Sequence, residues 1–150
     1  MSARIAFPAK ALILGLALSF SGVAFAAGDL TQRPERLPAL TLGKLTDAEL
    51  LDYFMEPKEY RLETGKSYRL KIQASGLKEY ALRAPAFFEN IYIRKVEAGG
   101  VEIKGVGLNE LEFEAKGEAE IFFVPIRPGK FPFFIKGHES RGMEGHIIVE

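Results

Sequence analysis

The side chains best able to hold a ligand lie near the C-terminus, where His138, Met143 and His146 fall within nine residues. Imidazole and thioether are donors that suit copper. The rest of the donor inventory is thin, because the 150-residue chain has no cysteine. That absence removes nucleophilic thiols, iron–sulfur ligation and every thiolate-bound metal. His146 opens what reads as the last strand and is set aside as a primary donor. Hydrolytic chemistry finds no foothold either: the sequence contains no Gly-x-Ser-x-Gly elbow, no His-Glu-x-x-His and no phosphate-cradling glycine loop. The expectation is a binding or accessory protein rather than an enzyme, with no catalytic residue assigned.

These donors need a scaffold, and the patterning supplies one. From Glu59 onward the apolar residues recur with period two. Tyr68, Leu70 and Ile72 alternate with Ser67, Arg69 and Lys71; Val101 and Ile103 with Glu102 and Lys104; Leu111 and Phe113 with Glu110, Glu112 and Glu114. Such alternation predicts strands with one wet face. Ile121–Val124 and Phe131–Ile135 are apolar on both faces and suit strands inside a sheet, and His146–Val149 closes the chain as a last strand. Turn signals separate them at Thr64-Gly65-Lys66, Ser75-Gly76, Ala98-Gly99-Gly100, Gly107-Leu108-Asn109, Lys116-Gly117 and Pro128-Gly129. About seven short strands at this spacing predict an all-β, two-sheet sandwich. Pro85, Phe87 and Phe88 are expected to cap its open end. Upstream, Thr46-Asp47-Ala48-Glu49 has capping-box spacing, and Leu50, Leu51, Phe54 and Met55 form a stripe ended by Pro57. One short helix is expected there.

The first residues read as a targeting segment. Arg4 and Lys10 precede an apolar run from Ala11 to Phe20, which leads into small residues and an Ala24-Phe25-Ala26 cleavage motif. That order predicts a secretory signal peptide over residues 1–26 and a periplasmic mature protein; the run is too short and interrupted for a membrane span. Residues 27–58 then form an N-terminal arm with the short helix, and 59–150 the β-domain. Removing residues 1–26 takes away two of 20 basic residues and none of 20 acidic ones, leaving a net charge of −2. Nothing in that balance favours nucleic acid or an anionic membrane.

The stretch from Pro128 to Val149 carries a Pro-Gly turn, the aromatic strand Phe131-Pro132-Phe133-Phe134-Ile135, then His138, Gly142-Met143-x-Gly145 and a terminal strand. It resembles the C-terminal copper loop of the cupredoxins, at plastocyanin-like spacing, and the likeness in strands and turns extends over about Tyr60 to Glu150. The resemblance implies a cupredoxin-like Greek-key sandwich. In that family the aromatic strand ends in the copper-binding cysteine; here Ile135 stands in its place and would fill the core. The first copper histidine of the family follows a glycine by three residues; here the corresponding stretch is Ala74 to Tyr80, so Glu79 occupies that position.

Of the four expected ligands the chain therefore keeps His138 and Met143. A pocket of His138, Met143 and Glu79 could take copper, or iron as in EfeO-type uptake proteins, without a blue centre. The alternative is a vestigial loop, with His138 a hydrogen-bonded surface residue, Met143 a core plug and Glu79 a solvated loop residue. The leading expectation is a periplasmic cupredoxin-like accessory protein that binds a partner protein or a metal ion. An electron-transfer role would need a redox centre, for which the thiolate is missing.

Overall fold

Tyr68, Leu70, Ile72 and Ala74 turn inward and Arg69, Lys71 and Gln73 outward, as the alternation requires. This strand organises the larger of two sheets in the computed structural model, which describes residues 33–150. The expected signal peptide lies outside the described residues. In chain order the strands are β1 (Glu35–Arg36), β2 (Leu40–Leu45), β3 (Leu50–Glu56), β4 (Glu59–Leu62), β5 (Tyr68–Ala74), β6 (Tyr80–Arg83), β7 (Ile91–Ala98), β8 (Val101–Ile103), β9 (Glu110–Phe113), β10 (Gly117–Pro125), β11 (Gly129–Ile135) and β12 (Glu144–Val149). A short helix, α1 (Pro85–Phe88), joins β6 to β7, and a 3-10 turn over Glu139–Arg141 precedes β12.

The larger sheet runs β3-β2-β5-β10-β7-β8, with β1 also on β5; the smaller runs β4-β12-β11-β6-β9. The two strands read as apolar on both faces, β10 and β11, each have a neighbour on either side. The inner faces meet through Leu70, Ile72, Ile121 and Phe123 on one side and Leu82, Phe133, Ile135 and Ile147 on the other. Each such burial contributes about 1.5–3 kcal/mol, and without disulfides this packing must hold the domain. Phe87 of α1 closes the core against Phe123 at 5.4 Å and Phe131 at 5.8 Å between ring centroids. On the outer face of β10, Phe122 is covered by Lys95 at 4.7 Å and Arg69 at 5.5 Å from its ring, and Arg69 also pairs with Glu120.

Three expectations change. The segment read as a short helix, Thr46 to Met55, is the turn and second strand of the β2–β3 hairpin. Thr46 Oγ1 does accept the Glu49 N–H at 3.0 Å, as a capping box would. Thr46 and Glu49 also pair through the backbone at 3.0 Å, so the contact closes a turn and Leu45 faces Leu50 across it. The long-range pairing of β2 with β5 outweighs the local helical pattern. Second, the strands outnumber the expected seven, because β1 to β4 carry weak alternation. Third, β8 has no buried face: Val101, Glu102 and Ile103 are all exposed.

Candidate functional site

The loop that follows β11 is laced together by its backbone. The Ile135 N–H donates to the Met143 carbonyl at 2.9 Å, the His138 N–H to the Ile135 carbonyl at 2.9 Å, and the Met143 N–H to the His138 carbonyl at 3.2 Å. Gly142, at φ 78°, ends the 3-10 turn in the left-handed region, and its carbonyl accepts Lys58 Nζ at 2.7 Å. Gly145 is required for a different reason: a Cβ there would run into the Lys58 carbonyl and the Phe133 ring. The glycines of the Gly142-Met143-x-Gly145 motif thus shape the loop and let β4 lie against β12.

Two of the side chains are sealed within this frame. Ile135 and Met143 are both 0% exposed and belong to the core. His138 is half-buried and lines an open cleft of about 740 Å³ together with Glu79, Lys78, Lys136, Glu112 and Glu114. The structure therefore brings His138 and Glu79 to one cleft, while Met143 does not line it. His146 is exposed on β12, in register with Glu59 and Pro132, and is also outside the cleft lining.

The β2–β3 hairpin adds a residue that sequence reasoning missed. Tyr53 meets the His138 ring edge-on, with centroids 5.2 Å apart and planes at 83°. Arg141 and Lys78 lie 4.9 Å and 5.4 Å from the Tyr53 ring centroid. The hairpin is fastened in this position by the Tyr80 hydroxyl, which donates to the Asp52 carbonyl at 2.8 Å, and by the Lys78–Asp52 ion pair at 3.3 Å. The Asp52 carboxylate, and after it Tyr53, raises the Lys78 pKa above its ordinary value. Facing leucines around the four-residue turn Thr46–Glu49 were the available signal for a hairpin, masked by their helix-like spacing to Phe54.

The donors do not fit a blue copper centre. Such a site needs two imidazoles, a thiolate and a weak axial thioether. Ile135 offers no donor atom, Glu79 offers a carboxylate where the resemblance puts an imidazole, and Met143 is buried in the core. Among the described residues no group of three or more His, Cys, Asp or Glu side chains is placed to hold a metal ion.

No family model and no curated protein sequence matches the chain. Solved structures do match it in shape. One is a multicopper oxidase, with TM-score 0.53 and 10% identity over 77% of this chain and 44% of that one. A multi-copper oxidase from Pediococcus acidilactici matches with TM-score 0.52 and 12% identity over 99% and 30%. The Blue Copper Oxidase from Nitrosomonas europaea matches with TM-score 0.52 and 13% identity over 67% and 34%. The fold is cupredoxin-like. The chain spans less than half the length of each of these proteins. At such low identity the likeness speaks to the scaffold, and function resides in the site.

Proposed function

We propose that this protein is an exported, cupredoxin-like accessory protein without a blue copper centre, and that it acts by binding a partner protein at the loop end of the sandwich. The observation that carries this reading is Ile135, wholly buried where the resemblance places the copper thiolate. What the loop end presents instead suits protein recognition. Tyr53 and Arg141 are of the residue types that dominate binding energy at interfaces. The tip of the same hairpin exposes Leu45 and Leu50, 68% and 62% accessible and directly opposed across the strands. Exposed apolar side chains grouped in this way favour a docking role.

A photo-reactive residue placed at Leu50 or Tyr53 tests this in cells that export the protein. The expected result is a discrete cross-linked adduct from both positions and none from Lys71, on the outer face of the larger sheet. Adducts absent from the loop end, or equal at Lys71, would overturn the reading.

A second reading is favoured by one observation, the shared cleft of His138 and Glu79. An imidazole and a carboxylate, completed by water, would hold Cu(II) or iron as a non-blue site. Calorimetric titration with each metal separates the two readings. In the metal-binding case His138→Ala weakens affinity at least about tenfold; in the partner-binding case wild type and variant are alike.

A further inference from the structure

The strand β8 ends the larger sheet, and its far edge has no strand neighbour among the described residues. On its near side it pairs with β7 through Val96 and Ile103, Glu97 and Glu102, and Ala98 and Val101. Val101 and Ile103 therefore share the face that elsewhere in the sheet is buried, yet they are 59% and 50% exposed. The strand is not blunted by proline, and an open strand edge with uncovered β-branched residues is a template for pairing. On the opposite face Glu102 lies between Lys95 at 2.8 Å and Lys104 at 3.2 Å.

We propose that β8 pairs antiparallel with β8 of a second copy of this chain, about a two-fold axis through Glu102. The sequence of the strand is self-complementary in this register. Val101 of each copy faces Ile103 of the other, giving two β-branched cross-strand pairs. Gly100 faces Lys104, so the lysine meets no side chain directly opposite and is diagonal to Glu102 of the other copy. The two copies' Glu102 residues face each other, which alone would be unfavourable. Each already carries cations on its flanks within its own chain, and each gains Lys104 of the second copy on the diagonal. An axis through a residue, as at Glu102, keeps the apolar faces of both sheets on one side and the charges on the other. Closed two-fold pairing of this kind is isologous and stops at a dimer. A three-residue strand makes a small contact, so the dimer is weak and concentration-dependent.

The chain lacks cysteine, so Glu102→Cys puts a single thiol on the proposed axis. Under mild oxidation it should form a disulfide-linked dimer far faster than Glu118→Cys, an exposed control on the outer face of the same sheet. Charge exchange gives an independent reading that misfolding cannot mimic. Glu102→Lys alone and Lys104→Glu alone should each sediment as monomers, with dimer affinity lowered at least about tenfold. Their equimolar mixture should associate again, since each copy then supplies the charge the other lacks. Circular dichroism confirms that both variants fold. Monomeric wild type at all concentrations, equal cross-linking at Glu102→Cys and Glu118→Cys, or a mixture no more associated than its components would each overturn the proposal.

Discussion

Truncating Met143 to alanine should cost about 2–5 kcal/mol of folding stability, whereas Met143→Leu should cost less than about 1.5 kcal/mol. The difference follows from the position of the side chain. Met143 is 0% exposed, sits in the core with Ile135, and is held there by backbone bonds from Ile135 and to His138. Alanine leaves a cavity in a rigid frame, while leucine nearly conserves the volume. Urea denaturation of the exported protein, followed by circular dichroism, gives both values; a loss of 2 kcal/mol would lower the melting temperature by about 8 °C for a domain of this size. The leucine variant also separates core plug from ligand, because it keeps the packing and removes the sulfur. A stability loss below about 1 kcal/mol for Met143→Ala, or a Met143→Leu protein that keeps its stability but loses copper affinity at least tenfold, would refute the core assignment.

Tyr53→Ala should remove the aromatic contact between the hairpin and the loop end, with a loss of about 0.5–1.5 kcal/mol from the His138 contact alone; the His138 ring protons should shift in NMR spectra, and unchanged shifts would count against the contact. Stability should fall in acid below about pH 4.5. Lys95, then Lys104, lowers the Glu102 pKa, and Lys71 lowers that of Glu118; carboxylates depressed in the fold stabilise it above the unfolded value, and the gain is lost as pH falls through the folded value. Stability should also decline above about pH 10, since burial raises the Tyr60 pKa and the Glu102 and Glu97 carboxylates raise that of Lys95; groups raised in the fold lose their contribution as pH climbs past the unfolded value. Urea midpoints measured from pH 3 to 11 check both arms. High salt should flatten the acid arm, because the pairs behind it are exposed.

Most strands legible in the sequence are those whose alternation coincides with burial on one face, as in β5 and β9, or whose apolar runs lie inside a sheet, as in β10 and β11; β8 was legible from alternation alone, with neither face buried. The hairpin was not, because Leu50, Leu51, Phe54 and Met55 satisfy a helical spacing as well as a strand, and only pairing with a distant strand decides between them. Its loss hid Tyr53, which reaches His138 across 85 positions of sequence. The loop after β11 was readable for the opposite reason. Its glycines have steric duties that leave few substitutes, so Gly142 and Gly145 mark the backbone path in the sequence without any cysteine beside them. The cleft shared by His138 and Glu79 followed from the resemblance; that Met143 stays out of it did not, since burial of one thioether depends on packing from both sheets.

The most direct test is the visible absorption of the folded protein with Cu(II), for the wild type and for Ile135→Cys combined with Glu79→His. A thiolate and an imidazole placed at those two positions would join His138 as the three strong donors of a blue site. The expected result is no intense charge-transfer band in the wild type and a strong one in the double variant, with circular dichroism showing both folded. An intense band in the wild type, or a folded double variant that takes up copper without one, would contradict the placement of Ile135 where the resemblance puts the thiolate.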